Sequence, residues 1–260
     1  MSTPARRSPS ALLSGFASRF TLSLNPWSIA LFLIALIVAL PILVVLGHIV
    51  MPTEGVWQHL ASTVLPRYLS NTFWLVLWVG LGTLVIGTGT AWLVVMCRFP
   101  GKRLFEWALL LPLAVPTYVI AYAYTDFLQV AGPLQSLLRE WFHWQVGDYY
   151  FPNVRSLGGA ATLITFVLYP YVYLLARASF LEQSVCVLDV GRTLGRGPWR
   201  LFASVALPLA RPALVGGVSL VLMETLNEFG AVQFFGVDTF TTGIYRTWFG
   251  LGEPIAAAQL

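Results

Sequence analysis

Long hydrophobic runs separated by short polar segments dominate the chain. Five runs are long enough to cross a bilayer as helices, because about 20 apolar residues span its hydrocarbon core. Pro41 lies within the first run, and Pro112 and Pro116 interrupt the third, so we expect these two helices to be kinked. The pattern predicts an all-α, polytopic transmembrane bundle, with a sixth run beginning at 256–260. The predicted spans are 27–50, 70–96, 104–127, 158–175 and 212–229.

Polar and aromatic segments lie at the ends of these spans. Residues 1–26 are rich in serine and arginine, and we expect them to form a cytoplasmic tail ahead of one transmembrane domain at 27–260. The segment 128–157 carries a cluster of aromatic residues of the kind that concentrate at membrane–water interfaces. This pattern favours lipid anchoring over a ligand site. The cluster comprises Trp141, Phe142, Trp144, Tyr149, Tyr150 and Phe151.

Composition supports a membrane protein independently. Hydrophobic residues make up 57% of the chain and charged residues 10%, with a mean hydropathy of +0.75, whereas a soluble domain carries about 25% charged residues. The formal net charge of +4 is spread over short loops, which argues against nucleic-acid binding. The three histidines and two cysteines show no metal-ligand spacing.

The charges of the loops predict the orientation. Eleven of the 15 Lys and Arg residues lie on the side that holds the N-terminus and the segment 179–211, and four lie on the other side. Because Lys and Arg are enriched in cytoplasmic loops, the first side is predicted to be cytoplasmic. The eleven are Arg6, Arg7, Arg19, Arg98, Lys102, Arg103, Arg177, Arg192, Arg196, Arg200 and Arg211, and the four are Arg67, Arg139, Arg155 and Arg246.

A helix–turn–helix pattern lies between the fourth and fifth spans, at about 179–211. Gly195 lies where a helix ends in a left-handed residue, and Pro198 lies where a second helix can begin, because its missing N–H costs nothing there. Leu207 and Pro208 are expected to end the second helix. A stiff helix pair that faces the cytoplasm indicates a docking site.

This segment resembles the Glu-Ala-Ala coupling loop of ABC-importer permeases. In that loop the three residues are followed after three positions by glycine, and after nine more by a β-branched residue, any residue, leucine and proline. Gly191 in place of alanine is expected to weaken the helix by about 1 kcal/mol. An ordinary connector between spans is the alternative. The matching residues are Asp189, Val190, Gly191, Gly195, Val205, Leu207 and Pro208.

The resemblance implies a MetI-like permease in the lipid bilayer of a bacterial inner membrane. The implied partners are cytoplasmic ATP-binding subunits, a periplasmic substrate-binding protein and a second permease unit. ATP would be bound by the partner subunits, since the sequence carries no glycine-rich phosphate loop. We expect no cofactor, no metal site and no catalytic residue in this chain. A membrane-embedded enzyme or a channel would lack the coupling loop.

Two acidic residues fall within the fifth predicted span. Glu224 lies roughly 18 Å along that helix, near the middle of the bilayer, and Glu228 is expected one turn further on the same face. Because a charge at that depth is costly, we expect both carboxylates to line the translocation pathway, together with Asn227. The alternative is a structural hydrogen bond to a neighbouring helix.

Three segments, 111–122, 223–232 and 235–250, are similar to the ferric-iron branch of these permeases. The similarity implies ferric iron as the cargo, with thiamine, polyamine or sulfate as alternatives. Members of that branch commonly fuse two permease units. The chain is therefore expected to be the first unit of such a pair, cut before its last span.

Overall fold

A computed structural model describes residues 25–51, 56–183, 193, 195 and 197–260. Within these residues it contains helices and no strand, so the predicted all-α class is confirmed. A 3₁₀ turn lies at Leu111–Ala114, and π turns lie at Phe202–Ala206 and Arg246–Gly250. The helices are α1 (Pro26–Ile49), α2 (Val56–Thr63), α3 (Leu65–Met96), α4 (Lys102–Ala108), α5 (Thr117–Leu128), α6 (Pro133–Phe142), α7 (Leu157–Glu182), α8 (Pro198–Leu201), α9 (Leu207–Leu209), α10 (Arg211–Asn227), α11 (Gly230–Phe234), α12 (Phe240–Tyr245) and α13 (Pro254–Gln259).

The number of spans depends on how two bent helix pairs are counted. Among the described residues, α1, α3 and α7 are each long and apolar enough to cross a membrane, and the total reaches five if each bent pair forms one span. The third predicted span is therefore not a single long helix, whereas α10 covers nearly all of the fifth predicted span as one helix. α13 begins at Pro254, close to the predicted start of a further span.

The chain divides into two compact units, and the first contains α1. This helix begins at Pro26, a residue whose fixed φ angle suits the first helical turn. An 18-residue stretch of this helix has a mean hydropathy of 3.3, and the helix continues through Pro41 to Ile49.

The core of the second unit lies where α3 and α7 pack together, with α10 beside them. Gly82 and Gly87 bring α3 close to α7. A Cβ atom on Gly87 would lie 2.9 Å from the Tyr169 carbonyl oxygen and 2.9 Å from the Tyr173 nitrogen, and one on Gly82 would lie 2.7 Å from Thr165 Cγ2. The absence of a side chain at these two positions therefore allows the close packing of the two helices.

The third predicted span is broken at its prolines. α4 ends at Ala108, the 3₁₀ turn contains Pro112, and α5 begins directly after Pro116. Proline cannot donate the backbone hydrogen bond that a continuous helix needs, so each residue interrupts the ladder. The two parts of the pair meet at an angle of 98°, which is a break and not the expected kink.

Candidate functional site

The first half of the predicted coupling segment is described only in part. Asp189, Val190 and Gly191 lie outside the described residues. Gly195 has a φ of +76°, the left-handed conformation expected of it. A Cβ atom at Gly195 would meet no described atom within 4 Å. Glycine is therefore suited to this position by its backbone conformation and not by a shortage of space.

The second half begins with α8 at Pro198 as predicted, but it does not end at Pro208. A π turn follows α8, in which the Leu207 N–H donates to the Phe202 carbonyl. The wider turn suits this position because Pro208 has no N–H and its ring crowds the carbonyl four residues earlier. Helical structure continues to Leu209, and the chain then bends by 73° into α10. The half-buried residues of the motif are Val205, Leu207 and Pro208.

An aromatic cluster joins this segment to the two central helices. Phe202 packs against Trp92 of α3 at a ring-centroid distance of 4.8 Å and against Phe180 of α7 at 6.4 Å, and Trp92 and Phe180 lie 5.6 Å apart. The Gln183 side-chain amide also donates to the Ala206 carbonyl at 3.0 Å. The π turn therefore contacts one end of each of the two central helices.

Sequence reasoning missed Phe202 and Trp92. The available signal was the spacing of Phe202 and Ala206, which places two apolar residues on one face of the second coupling helix. On α8, Trp199 is 72% exposed and Arg200 is also exposed. The segment thus has one side bound to the bundle and another side open to a partner.

The two predicted pathway acids lie within α10 and at its end. α10 ends at Asn227, and Glu228 leaves the helix with an extended ψ of 123°. Its carboxylate accepts a hydrogen bond from the Ala231 N–H at 2.9 Å, and its carbonyl accepts one from the Thr241 hydroxyl at 2.7 Å. Glu228 therefore follows Glu224 by one turn at the very end of α10, but its carboxylate is bonded to the start of α11. A shared pathway role for the two acids stays a prediction.

Glu224 has a different setting from Glu228. It lies exposed on α10, and no described residue forms a hydrogen bond or ion pair with its carboxylate. Asn227, the last residue of α10, is also exposed. Glu224 and Asn227 are therefore the polar groups of this region that are available to a solute or to a neighbouring chain.

Two helix breaks meet beside Glu228. A Cβ atom on Gly230 would lie 3.0 Å from Tyr118 Cβ, so the chain after Glu228 touches the start of α5. The rings of Tyr122 and Phe234 also lie 6.0 Å apart. The groove at this junction has a volume of about 610 Å³ and is lined by Tyr118, Val119, Tyr122, Phe229, Gly230, Gln233 and Phe234. Discontinuous helices of this kind border substrate paths in other transporters.

The predicted aromatic cluster at 141–151 is partly an internal stack. Trp144 stacks between Phe142 and Tyr149 at centroid distances of 4.6 and 5.4 Å. The Tyr149 hydroxyl donates to the buried Gln135 side chain at 2.7 Å. Trp141 and Tyr150 are 70% and 91% exposed, so these two rings are free to meet lipid. Within the described part of the chain, no group of three or more His, Cys, Asp or Glu side chains could hold a metal ion.

The family of the chain follows from its sequence together with this fold. Residues 83–250 match the family described as "Binding-protein-dependent transport system inner membrane component", and the chain belongs to that family. The protein is an inner-membrane, multi-pass permease subunit of an ABC importer. Such permeases work with ATP-binding subunits and a periplasmic binding protein.

Individual relatives differ in the solute named for them. The chain is 34% identical over 183 residues to the molybdenum transport system permease protein ModB of Escherichia coli K12. This match covers 70% of this chain and 73% of the relative. It is 28% identical over 225 residues to the Fe(3+)-transport system permease protein FbpB 2 of Haemophilus influenzae. This match covers 85% of this chain and 39% of that longer relative.

A solved structure supports the fold. A chain of the bacterial alginate ABC transporter, crystallised in complex with its alginate-bound periplasmic protein, matches with a TM-score of 0.70. The match covers 96% of this chain and 86% of that chain at 14% sequence identity. At this identity the likeness extends to the architecture alone.

Proposed function

We propose that the chain is the permease unit of a ferric-iron importer. The observation that carries this proposal is the extent of the match to the Haemophilus iron permease, which spans 85% of the chain against 70% for the Escherichia molybdenum permease.

The exposed carboxylate of Glu224 also supports a cationic cargo. Oxygen ligands suit hard metal cations, whereas a carboxylate repels an oxyanion at close range. Glu228 contributes a second carboxylate nearby in sequence, although one of its oxygens is held by Ala231. We assign the pathway role first to Glu224 and Asn227 and give Glu228 mainly a structural role.

We assign energy coupling to the segment 179–211. An ATP-binding subunit docks on the motif from Asp189 to Gly195 and on the exposed side of α8 at Trp199, and ATP is bound by that subunit. Closure of two such subunits moves the π turn, and Phe202 passes the movement to Trp92 and Phe180. A second permease unit completes the path, which opens alternately to each side of the membrane.

Molybdate is the second candidate cargo, favoured by the higher identity to the molybdenum permease, 34% against 28%. Uptake of radiolabelled ferric iron, molybdate and thiamine by the complete transporter in proteoliposomes separates these cargoes. Iron uptake alone is the expected result. Molybdate uptake without iron uptake would refute the iron assignment and leave the permease class unchanged.

Substitution of Glu224 sharpens this experiment, because a cationic and an anionic cargo predict opposite changes in uptake. For iron, Glu224→Gln is expected to lower uptake about tenfold, which corresponds to roughly 1.4 kcal/mol. For an oxyanion, loss of the negative charge would leave uptake unchanged or raise it. Glu140→Gln is the control, since it removes an exposed carboxylate from α6.

The proposed orientation can be measured with single cysteines in a variant whose Cys97 and Cys186 are replaced by serine. Ala203→Cys lies on the exposed side of the coupling segment, and Tyr150→Cys replaces a residue that is 91% exposed in the outer segment. An impermeant maleimide is expected to label position 150 from the periplasm and position 203 only from the cytoplasm. The reverse pattern would contradict the charge-based orientation.

A further inference from the structure

One acidic side chain lies between two arginines that are far apart in sequence. Asp238 Oδ2 lies 3.4 Å from Arg67 Nη1, and Asp238 Oδ1 forms an ion pair with Arg246 Nη1. Arg67 belongs to the first turns of α3, whereas Arg246 begins the π turn after α12. No other described carboxylate lies within ion-pair distance of either guanidinium.

The backbone around Asp238 is firmly attached to α3. The Asn71 side chain donates to the Asp238 carbonyl at 2.9 Å, and the Phe240 N–H donates to the Thr72 hydroxyl at 3.3 Å. Thr239 and Thr242 form a capping box that fixes the start of α12. The three charged side chains therefore project from a stable frame.

The charges in this cluster do not balance. One carboxylate faces two guanidinium groups, whose side chains are 71% and 47% exposed for Arg67 and Arg246. An exposed ion pair contributes at most about 1 kcal/mol to stability, so folding gains little from the second arginine. The excess positive charge and the unused N–H donors remain available to an anionic partner.

Aromatic side chains extend the same surface. The ring centroids of Tyr245 and Phe249 lie 4.8 Å apart, those of Phe249 and Trp248 lie 6.2 Å apart, and all three side chains are exposed. Arginine, tryptophan and tyrosine are the residues that most often dominate the binding energy of protein interfaces. The arginine–aromatic patch is defined as Arg67, Tyr245, Arg246, Trp248 and Phe249.

The length of α3 gives the side of the membrane on which this patch lies. Arg67 and Trp92 belong to the same unbroken helix, and 25 residues at 1.5 Å each separate them by roughly 38 Å. Trp92 contacts the coupling segment through Phe202. The patch is therefore at the opposite membrane face, where the binding protein of this family approaches.

We propose that the arginine–aromatic patch docks an acidic surface of the periplasmic binding protein, with a carboxylate of that protein received between Arg67 and Arg246. The proposal rests on the importer function proposed above but not on the identity of the cargo. Its charge requirement also implies that association weakens as ionic strength rises.

Binding of the purified solute-binding protein to the complete transporter in nanodiscs of zwitterionic lipid tests this docking. Arg67→Gln and Arg246→Gln are each expected to lower the affinity about tenfold, and to reduce binding-protein-stimulated ATP hydrolysis while unstimulated hydrolysis persists. Arg155→Gln is the matched control, because Arg155 is an exposed outer arginine whose guanidinium lies over the Phe234 ring. Affinity in the control should match the parent.

Asp238→Asn distinguishes docking from a purely structural role of the charge cluster, because the two predict different changes in the affinity for the binding protein. Removal of the internal carboxylate frees both guanidiniums, so docking predicts an affinity equal to or above that of the parent. If Asp238→Asn weakened binding as much as the arginine variants, the cluster would be a structural clamp and the proposal would be overturned. An effect of the arginine variants seen only in nanodiscs with anionic lipid would instead identify a lipid headgroup as the partner and would also overturn it.

Discussion

The helix pair α3–α7 and the second half of the coupling segment, at 198–209, are built in opposite ways. α3 and α7 are long and continuous, and two glycines of α3 allow the backbones to meet closely. The coupling segment is a chain of short turns, α, π and α again, bent by 73° from α10. It touches the long helices chiefly through Phe202 and Ala206.

We infer from this difference that the helix pair serves as a scaffold and that the coupling segment can move. Contacts spread along two helices resist displacement, because a shift of one helix breaks many close contacts together. A short segment that meets the core over a few residues, among them Phe202, Ala206 and Leu207, can tilt at a smaller cost and still act on the scaffold at that point. We therefore expect substitutions in the first region to affect folding and those in the second to affect coupling.

The largest effect is expected where the scaffold is tightest. Gly87→Leu forces a side chain into the backbone of α7 and should destabilise the protein by about 3 kcal/mol or more, since overpacking of a filled core is costly. The melting temperature in detergent and the yield of inserted protein measure this. Gly89→Leu is the control, because a Cβ atom there meets no described atom within 4 Å. Equal stability of the two variants would disprove the tight contact.

A smaller and different effect is expected at the joint between the two regions. Phe202→Ala removes the ring that meets Trp92 and Phe180, a loss of about 3 kcal/mol of packing. ATP hydrolysis by the assembled transporter should continue, while the solute moved per ATP falls. Phe202→Leu keeps most of the apolar contact and should transport at an intermediate level. Parental coupling in the alanine variant would show that force does not pass through this ring.

The smallest effect is expected at Gly195, where a substitution disturbs only the backbone conformation. A left-handed conformation costs a residue with a Cβ atom about 1–2 kcal/mol, and β-branched residues tolerate it least. Gly195→Val should reduce transport without loss of membrane insertion, and Gly195→Asn, which accepts this conformation more readily, should reduce it less. Uptake assays at matched protein levels measure both. Normal transport by the valine variant would remove Gly195 from the coupling mechanism.

Local features of this protein were predictable because their causes lie within a few residues. Proline removes a hydrogen bond wherever it stands, so the interruption of the third span at Pro112 and Pro116 could be predicted, although its severity could not. The left-handed turn at Gly195 and the helix start at Pro198 follow from the same kind of local constraint. The end of α10 at Asn227 could not be predicted in this way, because the residues around Glu228 include no proline.

The sequence by itself determined the class of the protein, the positions of its hydrophobic segments and the spacing of its coupling loop, since hydropathy and helix caps act over one or two turns. Only the tertiary structure decided which distant residues meet. Asp238 lies 171 residues from Arg67 in sequence, and the ring of Phe202 packs against two helices that precede it. Such contacts depend on how the helices cross, and a hydrophobic pattern shows that a helix has a buried face without specifying its neighbour.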